Sequence, residues 1–318
     1  MIFVYFQRSN PRQSGKRNKV KCLVTAIATA SDVALGCYAI KVLSLLYRAM
    51  FIPSITFNSE TWTCITNEEY RSLEVIQLKF LKRIMHAPSS TSNAATLLEF
   101  GVLPVKCVIH VRKLCFLHHI LSRGMEDPVR ITYCELGRYE CAENWHNEVK
   151  ELRKEYALEE SDEEIQEMSK ESWKERVKNR VAEVAVCHLN KVRQNQSRTS
   201  GLPANTSLHQ QKYFGYLSST DTRIMFKART GTLDTKTFKR YKYEDEICRL
   251  CGEEPEDLQH IVNKCTEVKK SETKEINIYT IEEEEVKEML RRLKDFIVKV
   301  DENDKELSSN MCQHVTED

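Results

Sequence analysis

The spacing Cys248-x2-Cys251-x8-His260-x4-Cys265, within ICRLCGEEPEDLQHIVNKC, constrains this chain more than any other feature because it alone dictates a chemistry. Three thiols and one imidazole are the four donors that a tetrahedral zinc ion takes, and the close Cys pair has the short spacing usual in such sites. With all four positions filled by protein, Zn2+ is expected to hold structure and not to do chemistry. Gly252, directly after the second Cys, gives the backbone a residue that turns easily through positive φ, so that amides can point at the thiolate sulfurs. Pro255 is expected to open a short helix through Leu258, His260 and Ile261. Residues five apart on a helix lie about 140° from one another, so Cys265 can share a metal with His260 only if that helix ends or bends first. The competing reading, unrelated reduced cysteines, leaves a histidine at ligand spacing without a role.

A length of 318 residues with 41% hydrophobic content leaves room for two domains and a real core. Only 8% aromatics and nine glycines beside 30% charged residues favour a mostly α fold over a sandwich or barrel. The net charge of +1 conceals strong patterning. Residues 1–31 hold six basic and no acidic residues, 151–171 hold nine acidic and three basic, and 282–318 hold twelve acidic and six basic. Alternating blocks of this kind offer basic surfaces to a polyanion and keep acidic segments solvated. Twelve cysteines are few for so long a chain and three are claimed by zinc, so a reducing compartment, nuclear or cytoplasmic, is expected rather than secretion. MIFVYFQRSN lacks the apolar length and small-residue cleavage site of a signal peptide. Val33 to Ile52 is broken by Lys41 and Arg48, which predicts a buried helix and no membrane span.

The chain reads in five segments. Residues 1–30 form a basic, poorly ordered leader, whose KRNKVK run is too common a pattern to assign as a nuclear signal. Residues 31–125 read as a helical domain. Its first helix starts at Asp32 and stops at Pro53, and its second opens on a Thr66–Glu69 capping box with Leu73, Ile76, Phe80 and Ile84 as its apolar stripe. Lys79, Lys82 and Arg83 fall within about 100° of one another on the far side of that helix and read as a solvated face. Gly101 stops the short helix Ala94 to Phe100, and Pro104 opens the next. On that helix Cys115, His118 and His119 read as packing residues. Residues 126–205 form a second helical group, with Trp145, Val149, Leu152 and Tyr156, then Trp173, Val177, Val181 and Val184, at helical spacing. Cys134, Cys141 and His146 are too loosely spaced for a second zinc site. Residues 206–265 contain a basic segment and the zinc knuckle. Residues 266–318 are an acidic tail with one amphipathic helix, Val286 to Val300, which either docks on the body or meets a protein partner through 281–300. No repeat of 20 to 50 residues is apparent.

Between Arg223 and Lys242 the basic residues Arg223, Lys227, Arg229, Lys236, Lys239, Arg240 and Lys242 face Asp234 alone, with Phe226, Phe238 and Tyr241 interleaved. Cations for phosphates beside aromatics for base stacking are what single-stranded nucleic acid binding uses. The bland reading is an amphipathic element whose aromatics are core. The adjoining zinc motif favours nucleic acid. Catalytic signals are missing: there is no Gly-rich phosphate loop, no G-x-S-x-G, no H-E-x-x-H, and no adjacent aspartates in a strand context to hold magnesium. No enzymatic activity is therefore expected, and no small-molecule substrate.

The order of these features resembles the C-terminal third of a non-LTR (LINE-like) retrotransposon reverse transcriptase polyprotein. The likeness spans about residues 31–265. It is carried by LYRAMFIPSITFNSETW (46–62), the run LEVIQLKF to LCFLHHIL (73–121), IQEMSKESWKERVK (165–178), IMFKARTGTLDTKTFKRYKYEDEICRLCG (224–252) and HIVNKC (260–265). The resemblance implies a helical thumb for 31–125, a helical linker, and a knuckle that binds RNA or target DNA, with Cys248, Cys251, His260 and Cys265 as metal ligands. The fingers and palm, with their catalytic aspartates, have no counterpart here. MIFVYFQRSN does not resemble the region upstream of a thumb, which implies a truncated or re-started gene model, and residues 266–318 match no part of the family. The expected function is nucleic acid binding by this C-terminal remnant. The alternatives are a domesticated zinc-knuckle scaffold for protein partners, or a pseudogene product without function.

Overall fold

The computed structural model describes residues 40–139, 143–268 and 274–314, with side chains described to residue 305. The leader at 1–30, the helix start at Asp32 and Cys141 lie outside the described residues. Regular structure is helical throughout, as the composition predicts. The one β feature among the described residues is an antiparallel bridge between Ile247 and Pro255. The described chain divides into two compact units. One takes the chain up to Ile84 together with Thr96–Val192 and Ala204–Gln210; the other takes Met85–Ala95, Arg193–Pro203 and the chain from Gln211 onward. No single described helix is long and apolar enough to cross a membrane.

In the first unit α1 (Ile40–Leu46) runs through a π-helical turn (Tyr47–Phe51) into α2 (Ile52–Ile55). Pro53 does not end the helix as its chemistry predicts. It occupies the first turn of α2, where a residue without an N–H is tolerated, and the helix closes at Thr56. The capping box opens α3 (Asn67–Ile84) as expected: Glu69 N–H donates to Thr66 Oγ1 at 3.2 Å and Thr66 N–H to Glu69 Oε2 at 3.1 Å. Phe80 and Ile84 are buried, Leu73 and Ile76 half-buried, Lys79 and Arg83 exposed. Lys82 departs from the expected solvated face. The buried side of α3 is wide enough to include Leu78 and Leu81, and it takes in Lys82, whose pKa is pushed down by that burial. Buried Gln77 ties the unit together, donating through Nε2 to Tyr47 OH (2.6 Å) and Leu103 O (2.7 Å) and accepting from Val105 N–H at 2.9 Å.

The helix α4 (Asn93–Phe100) ends at Gly101 with φ +60°; Gly101 N–H meets Leu98 O and Val102 N–H meets Leu97 O, a Schellman closure. Around α5 (Val105–Leu121) pack α6 (Pro128–Arg138), α7 (Trp145–Glu155), α8 (Asp162–Glu167) and α9 (Lys170–Gln194). Trp145, Val149, Leu152 and Tyr156 join Trp173, Val177 and Val181 in one core. Val184 stands outside it: the α9 stripe advances in steps of four to Ala185 and Leu189, which turns Val184 toward solvent. The Trp173 indole N–H donates to Leu114 O at 2.8 Å, and His118 Nε2 lies 2.9 Å from Met168 O, a packing role as the sequence implies. Lys113 is buried against the Glu148 carboxylate.

The second unit holds α10 (Tyr213–Tyr216), α11 (Ser219–Arg229), α12 (Leu258–Asn263) and α13 (Glu283–His314). The Ser218 side chain caps α11 by accepting from Asp221 N–H, and Met225 and Phe226 are buried. Of the two fates open to the tail helix, it takes docking: Val286, Met289, Leu290, Leu293, Phe296 and Val300 of α13 are buried on α11 and α12, and Ile297 is half-buried. The apolar face of 281–300 is thereby used within its own unit. Buried Arg292 fixes the dock, donating to Val262 O at 2.6 Å, to Lys274 O at 3.2 Å and to Glu288 Oε1 at 2.9 Å.

Candidate metal centre and basic surface

Cys248, Cys251, His260 and Cys265 converge, with one ligand atom from each lying within 4.8 Å of all the others. Local chemistry explains how residues seventeen positions apart arrive at one point. The Ile247–Pro255 bridge and the Cys248 N–H to Glu254 O bond (2.9 Å) fold the Cys pair into a tight turn, and Gly252 closes it at φ +70°. Pro255 is taken by that bridge and does not begin the following helix. Asp257 starts α12 instead, its Oδ1 accepting from His260 N–H at 2.7 Å. The helix then stops at Asn263, and Cys265 N–H reaches back to His260 O at 2.8 Å, which brings the fourth ligand onto the same point. The early end that the spacing requires is therefore present.

Cys248 Sγ and Cys265 Sγ are 3.9 Å apart, and Cys251 Sγ is 3.2 Å from His260 Nε2. A tetrahedron with metal–sulfur bonds near 2.3 Å has edges of about 3.8 Å, so the donor set fits a single metal ion. Amides of Cys251 and Leu250 point at the Cys248 sulfur, as Gly252 predicts. Burial pushes Cys248 up, and burial together with the Cys248 sulfur pushes Cys265 up to about 12. A bound divalent cation reverses that balance and takes thiolates. His260 turns Nε2 inward and Nδ1 toward Glu254 Oε2 at 3.5 Å, and the Lys264 ammonium, 3.0 Å from the same oxygen, keeps Glu254 ionised. The carboxylate stands on the side of the ring from which metal-bound histidines are oriented, at ion-pair distance and without a hydrogen bond to Nδ1.

The basic segment is tied to this centre by a residue that sequence reading overlooked. Glu256 is fully buried, and its carboxylate accepts from Lys236 N–H (2.9 Å), Arg249 N–H (2.9 Å) and the Arg249 guanidinium (2.7 Å). Thr237 Oγ1 donates to Glu256 O at 2.7 Å. The only hint in the sequence is an acid beside proline and a basic residue between the paired cysteines.

The basic residues have distinct fates. Arg229 is buried, donating to Tyr279 O (3.4 Å) and Thr280 O (3.2 Å), so it holds structure and presents no cation to a partner. Arg223 and Lys227 on α11 are half-buried, and burial lowers the pKa of both; Lys227 feels Asp234, Arg223 and Lys239 as neighbours. Lys236 pairs with Asp245 at 2.8 Å and Lys239 with Asp234 at 2.5 Å. Phe238 is half-buried. Arg240, Tyr241 and Lys242 form an exposed 3-10 turn, with Tyr241 77% accessible. An aromatic so exposed has no core to fill, which sets Tyr241 apart from the reading in which these aromatics are interior. In comparisons with protein-family models, with curated proteins and with solved structures, nothing matches this chain.

Proposed function

We propose that the second unit is a zinc-stapled nucleic-acid-binding module and that the chain binds rather than catalyses. One observation carries this reading: the exposed Arg240–Tyr241–Lys242 turn belongs to a segment that Glu256 clamps to the Cys3His centre. Zinc is the ion that three thiolates and an imidazole favour, since the donors are soft to borderline and four mutually close donors suit tetrahedral coordination. The metal would supply no reaction step, because all four positions are filled by protein. Its part is to fix the turn relative to Arg223, Lys227 and Lys239, so that phosphates meet preformed cations and a base meets Tyr241. The resemblance to the C-terminal region of a LINE-like reverse transcriptase agrees with this assignment, with RNA or target DNA as the ligand.

Anisotropy titration of a labelled single-stranded RNA tests the proposal. Affinity should fall steeply as salt rises, because each neutralised phosphate releases counterions. The double variant Lys239→Glu, Arg240→Glu should abolish binding. Binding that ignores both salt and charge reversal would contradict the assignment.

A further inference from the structure

Resting on that reading and sharpening it, we infer that Arg198 and Phe238 form a base-stacking platform that selects single-stranded over duplex nucleic acid. In the sequence Arg198 lies in a polar loop with no connection to the basic segment. In the structure its guanidinium carbon sits over the Phe238 ring at 4.9 Å from the centroid, and the side chain is otherwise exposed. A guanidinium held over a ring sets a planar cation beside an aromatic, and nucleobases stack on arginine planes as they do on aromatics.

The platform is built and not incidental. Buried Arg193 pins the loop that carries Arg198, its Nη1 donating to Leu202 O at 2.6 Å and Thr199 O at 3.3 Å, while Thr199 Oγ1 donates to Arg193 O at 3.2 Å. On the other side, Gly231 ends α11 in a Schellman closure at φ +64°, with Gly231 N–H on Ala228 O and Thr232 N–H on Lys227 O. A Cβ on Gly231 would come within 2.8 Å of Arg198 Cβ and 3.0 Å of Arg198 O, so the absence of a side chain at Gly231 is what lets the loop approach. Phe238 is fixed by its own N–H, which donates to Thr235 Oγ1 at 3.2 Å. Among the described residues no carboxylate pairs with Arg198, so its charge remains for phosphate. Lys239, next in sequence to Phe238, pairs with Asp234, and Lys227 feels both Lys239 and Arg223, so further cations lie near the platform. Stacked bases within a duplex hide their faces, whereas a single strand offers them. The platform therefore favours the single strand.

The test compares Arg198→Lys with the wild type in anisotropy titrations, using a labelled single-stranded RNA of roughly 16 nucleotides and a duplex of the same length. Lysine keeps the charge and loses the plane. Single-strand affinity should fall roughly fivefold or more, with duplex affinity and the slope against log salt unchanged. Phe238→Leu, which removes the ring beneath the guanidinium, should weaken single-strand binding in the same way, with metal content and circular dichroism confirming an intact fold. If the wild type binds RNA and Arg198→Lys binds as well as it does, or loses equally on both ligands, the platform is refuted while the wider assignment stands. If the wild type binds neither ligand, both fall together.

Discussion

Glu256 is the side chain on which the second unit's geometry turns. Among the described residues its buried carboxylate is satisfied by the Lys236 and Arg249 amides and the Arg249 guanidinium, so removing it strands a half-buried cation and two N–H groups. Glu256→Ala should cost about 3–5 kcal/mol in urea unfolding of the metal-loaded protein, as breaking a buried pair does, with Glu256→Gln recovering part of the loss. At the candidate metal centre, native mass spectrometry of protein supplied with zinc is expected to find one ion in the wild type and none in Cys265→Ser, because a neutral hydroxyl replaces a thiolate in a four-donor set. In the first unit His110 behaves as a titrating wedge. Burial, then the Lys106 and Lys113 charges, hold its pKa down to about 3 from an ordinary 6.5, while Tyr156 OH meets its Nδ1 at 2.7 Å. Between those values the unfolded chain binds a proton that the folded chain refuses. The stability His110 contributes is therefore complete above pH 6.5 and is lost as pH falls toward 3. His110→Asn should flatten the stability profile across that window, and an unchanged slope would remove His110 from the account.

At the scale of elements, backbone closures carry much of the specification. Gly101 ends α4 in the left-handed region, with the His209–Gln210 backbone where a side chain would go: a Cβ would lie 2.1 Å from Gln210 N. Gly101→Ala should cost more than the roughly 1–2 kcal/mol of the left-handed conformation alone, read as a drop in denaturant midpoint. These local features were legible in the sequence, since the Thr66–Glu69 box, the Gly101 stop, the Gly252 turn and the Cys3His spacing each rest on a few consecutive residues. What was not legible depends on what an element meets. Pro53 continues a helix because a π-helical turn precedes it, Pro255 joins a bridge while Asp257 takes the cap, and Lys82 is buried because the covered side of α3 is wide. Arg229 looked like a phosphate ligand until the Tyr279 and Thr280 carbonyls, fifty residues on, claimed it. Arg198 and Phe238 gave no joint signal at all, because forty positions and a glycine closure separate them.

The whole molecule comprises two units with different sources of stability. The first rests on an apolar core in which Trp173, Val177 and Val181 are fully buried beside Trp145 and Tyr156. The second is built around a knuckle whose ligands lie on a turn, a six-residue helix and the residues just after it, and the long α13 is docked on that helix. On the proposed reading such a unit would draw folding energy from a bound metal. Chelation should therefore erase part of the helical signal and leave an unfolding transition belonging to the first unit. On the proposed reading the metal would hold the surface that meets nucleic acid. The most direct measurement of this is a single-stranded RNA titration of the zinc-loaded protein, of the same protein after chelation, and after zinc is restored. Strong, salt-sensitive binding that is lost with the metal and returns with it is expected; affinity unchanged by chelation would overturn this reading.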